Sequence, residues 1–218
     1  MKKKTQRIYA GILAVVVSIA MVGMGIFGLF FNGDQLSAGS NAATASNAAA
    51  EYQDQKLRIE AMAQQAEIDP ENIHLQKALG NEYFNAGIVA QEVAPAEVQD
   101  NFMHAAEILQ NVTETEKDEN ILLVLALSAY FSGNNELAEN SFKGSLEINP
   151  DSLHGLTNYG IFLSQAKQDW AGALNQWQKA LTLAQDDSDK EQIQAMISQA
   201  QSELETKAEN GTSNPASE

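Results

Sequence analysis

Gly23, Gly25 and Gly28 stand in the order G-x-G-x-x-G, a spacing that lets a backbone approach the pyrophosphate of a dinucleotide. That chemistry needs a strand before the glycines, a helix opening at them and an acid about 20 residues further on. Here the glycines lie inside a charge-free apolar run from Ile8 to Phe31, so no cofactor is expected from them. His74, His104 and His154 are isolated, without the spacing of metal ligands. The acid cluster Asp186 to Glu191 lacks the central glycine and twelfth-position Glu of a calcium loop. No nucleophile elbow or phosphate-binding loop occurs. The expectation is a non-enzyme with no catalytic, cofactor-binding or metal residues.

The charge-free run has a different use. At about 1.5 Å per residue it spans roughly 36 Å as a helix, enough for a hydrocarbon core of about 30 Å. Lys2, Lys3, Lys4 and Arg7 precede it, and no further base appears before Lys56. The positive-inside rule then keeps residues 1–7 in the cytoplasm and places everything after Phe31 outside. The run exceeds the apolar region of a cleaved signal peptide, so residues 8–31 read as a single-pass signal anchor in the cell membrane. Ala10, Ala14 and Ser18 form a small-residue face on it, a device by which membrane helices pair. All 29 acids but only nine of the 13 bases follow the run, a formal charge of −20 beyond it that repels nucleic acid. Cysteine is absent.

The remainder divides by composition. Residues 32–50 are small and polar and read as a flexible linker. Residues 208–218 read as a disordered tail. Between them apolar residues recur at helical spacing, and no strand-like alternation interrupts them, so the exported part is all-α. Tyr52, Ile59, Met62 and Ala66 make one stripe within 51–69. Ile193, Met196, Ile197, Ala200 and Leu204 make another within 186–207, a helix that Ser188 and Glu191 could open as a capping box.

Residues 70–185 repeat. Asn158–Gly160 has counterparts at Ala78–Gly80 and Leu125–Leu127. Ala126 and Gly160 lie 34 apart, and Phe142 and Trp177 lie 35 apart. Pro70 and Pro150 each stand between a helix end and a new helix. On these residues the chain resembles the tetratricopeptide repeat (TPR) family, a 34-residue helix–turn–helix. The matching positions are Leu79, Gly80, Tyr83, Gly87, Phe102 and Ala105 in the first unit. In the second they are Leu125, Ala126, Tyr130, Gly133, Ala138, Phe142, Leu146 and Pro150, and in the third Tyr159, Gly160, Ala173, Trp177, Ala180 and Leu181. The first unit carries about six extra residues near Ile88–Glu97, read as a longer turn, and the last carries one near Gln168. The resemblance implies an α-solenoid of about three repeats, with the stripes at 51–69 and 186–207 as capping helices. Gly80, Ala126 and Gly160 would be sites of close helix approach.

The resemblance also implies that the first helix of each repeat lines a concave groove that binds peptides. Its outward stripe reads His74, Lys77, Asn81, Phe84 and Asn85, then Asn120, Leu123, Leu127, Tyr130 and Phe131, then His154, Thr157, Ile161, Ser164 and Gln165. None of the fifteen is acidic in a strongly acidic chain. Lys77 with Asn81 matches half of the family's carboxylate clamp, and Val124, His154 and Asn158 replace the rest. The expected function is a membrane-anchored scaffold or assembly factor for a protein or peptide partner. The layout is similar to that of bacterial TPR proteins in cytochrome c maturation, envelope assembly or translocon-linked chaperoning. A structural homo-oligomer, acting through the membrane helix or the repeat surface, is the alternative.

Overall fold

The computed structural model describes residues 42–212. Every regular element among them is helical: α1 (Ala42–Ile68), α2 (Ile73–Val93), a 3-10 turn (Pro95–Glu97), α3 (Val98–Thr115), α4 (Glu119–Ser132), α5 (Asn135–Ile148), α6 (Leu153–Ala166), α7 (Trp170–Leu183) and α8 (Asp187–Thr212). The expected membrane span lies outside the described residues. Among those described, no helix is long and apolar enough to cross a membrane.

Five of the helices begin by one device. The first backbone N–H groups of a helix lack partners within it, and a short polar side chain just ahead can accept from one. Asn72 accepts from Leu75, Asp118 from Ile121, Asn134 from Leu137, Ser152 from Gly155 and Asp169 from Gly172. α3 is entered instead through the 3-10 turn, with Pro95 at its first position. α4 stops at Gly133, whose φ of 91° no side-chain-bearing residue adopts cheaply. α6 ends differently. Gln168 takes a φ of 54° at the place of the extra residue, and the Asp169 amide bonds back to the Leu163 carbonyl.

Helices pair in the chain order α2–α3, α4–α5 and α6–α7, with α1 against α2 and α8 against α7. Phe102, Phe142 and Trp177 are buried, each from the second helix of its pair. The first helices must come close to receive them. A β-carbon on Gly160 would run into the Trp177 indole, which donates to the Thr157 carbonyl at 3.1 Å. One on Gly80 would lie 2.7 Å from the Leu109 side chain. Ala126, at the corresponding place in α4, is fully buried. Rings then link the repeats in series: Phe84–Phe102 (5.6 Å between centroids), Phe102–Phe131 (4.8 Å), Phe131–Tyr130 (5.2 Å), Tyr130–Phe162 (5.6 Å) and Phe162–Phe142 (5.5 Å).

Three boundaries differ from the sequence reading. The helix of the first cap begins at Ala42, inside the stretch read as linker, because an alanine-rich run favours helix. The last helix runs to Thr212, into the stretch read as tail. It starts at Asp187, so Ser188 lies within the first turn and meets the Gln192 amide instead of capping. The extra residues of the first repeat do not form a long turn. Most of them lengthen α2 to 21 residues against 14 for each of α4 to α7.

The 3-10 turn and the start of α3, just beyond that lengthened helix, are fastened to α1. Glu97 accepts from the Tyr52 hydroxyl at 2.9 Å and from Lys56 Nζ at 3.2 Å. Asn101 Nδ2 donates to the Tyr52 hydroxyl at 2.8 Å and to the Glu97 carbonyl at 2.9 Å. Tyr52 is 1% exposed, so its hydroxyl needs these partners. Ile59, Ala66, Leu79, Ala86 and Ala90 make the apolar part of the same junction. A second polar cluster ties α4 to α5 and α6. Ser145 donates to the Glu119 carbonyl at 3.1 Å, while Asn149 and Ser152 donate to the Glu119 carboxylate.

Candidate functional site

The fifteen first-helix positions separate into three groups. His74, Asn81 and Asn85 on α2, Asn120 on α4, and His154 and Gln165 on α6 are exposed. Lys77, Leu123, Tyr130 and Phe131 are half-buried. Phe84, Leu127, Thr157, Ile161 and Ser164 are buried, which corrects their reading as outward-facing groups.

The burial has identifiable causes at several positions. Phe84 packs edge-on against Phe102, on the side of α2 that faces α3. Thr157 lies under the Trp177 indole, which its carbonyl holds. The Ser164 hydroxyl turns back to the Ile161 carbonyl at 2.9 Å and so offers no donor outward. Tyr130 and Phe131, read as part of the outward stripe, are links in the ring series between repeats. Burial pushes the Tyr130 hydroxyl above its ordinary pKa.

Lys77 is not a free cation. Its ammonium is 2.8 Å from Glu116 Oε1 and 3.8 Å from Asp118 Oδ2, both on the α3–α4 connection. The hydrogen bond it donates to Glu116 raises its pKa first, with the two carboxylate charges adding to it. The half-clamp read from Lys77 and Asn81 therefore has its positive charge answered within the chain. Asp118 also caps α4. Asn158, one of the three residues that replace the rest of the clamp, is 3% exposed, and its Oδ1 has no partner.

What remains open is a polar, acid-free set of short side chains. Asn81 and Asn85 offer two amides one helical turn apart on α2, and His74 stands on the same stripe. Amides both donate and accept, so they suit a peptide backbone more than any one side-chain charge. Among the described residues, no group of three or more His, Cys, Asp or Glu side chains is gathered as for a metal.

The backbone is similar to the crystal structure of the MamA protein, at a TM-score of 0.52 and 12% identity, over 81% of this chain and 97% of that one. The fold is a TPR-like helical solenoid. A second crystal structure of MamA aligns at a TM-score of 0.49 and 13% identity, over 69% of this chain and 89% of that one, a level that carries no argument. At such identities the likeness speaks to fold alone. No family model matches the sequence, and no curated protein does.

Proposed function

We propose that this chain is a membrane-anchored, extracytoplasmic scaffold that holds a protein or peptide partner along the first helices of its repeats, without catalysis. The observation that carries the reading is the exposed amide pair Asn81 and Asn85 on α2, continued by Asn120 and Gln165, on a stripe free of acids in a chain of net charge −16. Extended peptides present unpaired N–H and C=O groups, and such amides can meet both. The anchor is residues 8–31, with the N-terminus in the cytoplasm and the repeats outside.

The test compares full-length protein with an Asn81→Arg/Asn85→Arg variant. Both are purified from native membranes in mild detergent, and partners are identified by mass spectrometry. Because both asparagines are exposed, the variant should keep its helicity and its melting temperature. Loss of one partner from the variant alone supports the reading. A full partner set retained by a folded variant sinks it. Lys77→Glu and Phe131→Ala are poorer probes, since the first sets a carboxylate against Glu116 and Asp118 and the second breaks the ring series.

A further inference from the structure

α1 has two apolar faces, and the repeats use only one. Tyr52, Gln55, Ile59 and Ala66 face inward and are buried. Residues two apart on a helix point about 200° apart at 3.6 residues per turn. Leu57, Ala61, Gln64 and Ile68 therefore run along the opposite side, and all four are exposed. Leu57 is 64% exposed and Ile68 is 85% exposed, the two most exposed large hydrophobic residues among those described. Their spacing of four, three and four residues is that of a coiled-coil seam.

We propose that this outer seam of α1 pairs in parallel with the same seam of a second copy of the chain. The inference rests on the anchored reading above. The tether separating the proposed anchor from α1 is residues 32–41, which reach at most about 35 Å. Two anchored copies enter α1 from the same side of the membrane, so their seams would meet in parallel. Charge also fits a second copy better than a lipid surface. Asp54, Glu60 and Glu67 flank the seam and repel anionic headgroups. In a parallel pair the flanking neighbours across the seam are Gln53 with Arg58 and Glu60 with Gln65, so no like charges meet there. Asp54 occupies the seam position one turn before Leu57, where two carboxylates would face each other. It sets the N-terminal limit of the contact.

The chain has no cysteine, so single cysteines report only the positions chosen. Full-length Leu57→Cys, Ala61→Cys and Ile68→Cys are oxidised in native membranes, with exposed Gln194→Cys on α8 as the collision control. Carbonate extraction of the same membranes tests the anchor independently. The expected result is disulfide dimer at all three seam positions, several-fold above the control, and a further several-fold increase at Ala61→Cys when Asp54→Leu is added. Dimer at Ala61→Cys without Ile68→Cys would indicate antiparallel pairing and overturn the proposal. Seam cysteines that stay uncrosslinked but resist a maleimide reagent would assign the seam to lipid or another partner, and also overturn it. If carbonate releases the protein, the anchor reading fails. Seam dimer found even then would keep the second copy as occupant, and its absence would remove it.

Discussion

α2 and α6 carry the same row of positions and present it differently. On α2 the row is His74, Lys77, Asn81, Phe84 and Asn85, and only Phe84 is buried. On α6 it is His154, Thr157, Ile161, Ser164 and Gln165, and the three central residues are buried. α2 opens the solenoid with α1 at its back, while α6 receives Trp177 from one side and the rings of α4 and α5 from the other. Register selects a stripe on a helix. Whether the stripe meets solvent depends on what surrounds the helix, and a repeat pattern holds no information about that.

The largest break of this comparison comes from one substitution made in both helices. Ile161→Asp puts an unpartnered carboxylate at a site 5% exposed and should cost more than about 3 kcal/mol. Asn81→Asp, at the same register on exposed α2, should stay within about 0.5 kcal/mol. Chemical denaturation of the two variants reads both. Equal losses would mean that the α2 row is as enclosed as that of α6.

Gly160 and Gly80 sharpen it at a middle scale. Alanine in a helix interior gains about 0.5–1 kcal/mol over glycine, so any loss reflects crowding. At Gly160 the obstacle is a buried, hydrogen-bonded indole ring, and overpacking of that kind costs about 1–3 kcal/mol. At Gly80 the obstacle is the buried Leu109 side chain, 2.7 Å away at Cγ, an aliphatic group with no hydrogen bond to lose. Both substitutions should lower the melting temperature, Gly160→Ala by more than Gly80→Ala. A larger loss at Gly80 would place the tighter helix approach at the first repeat.

How far the sequence could be read follows the same division. The order of helices was legible from apolar periodicity and from Pro70 and Pro150, but the capping box expected at Ser188 lies inside the first turn of α8. Phe142 and Trp177 were legible because they lie 35 residues apart, and Phe102 because it holds the same place in the longer first unit. The seat of Lys77 was not, since Glu116 and Asp118 lie 39 and 41 residues away and meet it only after α3 folds back. Nor was the fastening of α1. Tyr52 reads as a core residue on its own helix, and only docking onto the 3-10 turn reveals that its hydroxyl needs Glu97 and Asn101.

That fastening yields the smallest effect and the one that depends on pH. The Tyr52 hydroxyl first, then Lys56, stabilise the Glu97 carboxylate and hold its pKa below the ordinary value. A carboxyl depressed in the folded state contributes fully above its unfolded pKa of about 4.3 and loses the contribution as pH falls through the folded value. Glu97 is 45% exposed at its side chain, so solvent screens the pair and the gain should be under about 1.5 kcal/mol. Glu97→Gln keeps an acceptor for Tyr52 but removes the charge. The variant should melt slightly below the parent at pH 7, and the gap should close as the pH drops below about 4. Thermal melts of the repeat region across that range read the difference. A gap that persists in acid would mean that Glu97 fastens α1 through neutral hydrogen bonds and that the Lys56 charge adds nothing. Then the polar part of this junction would be held by hydrogen-bond geometry without help from charge, beside the apolar contacts of Ile59, Ala66, Leu79, Ala86 and Ala90.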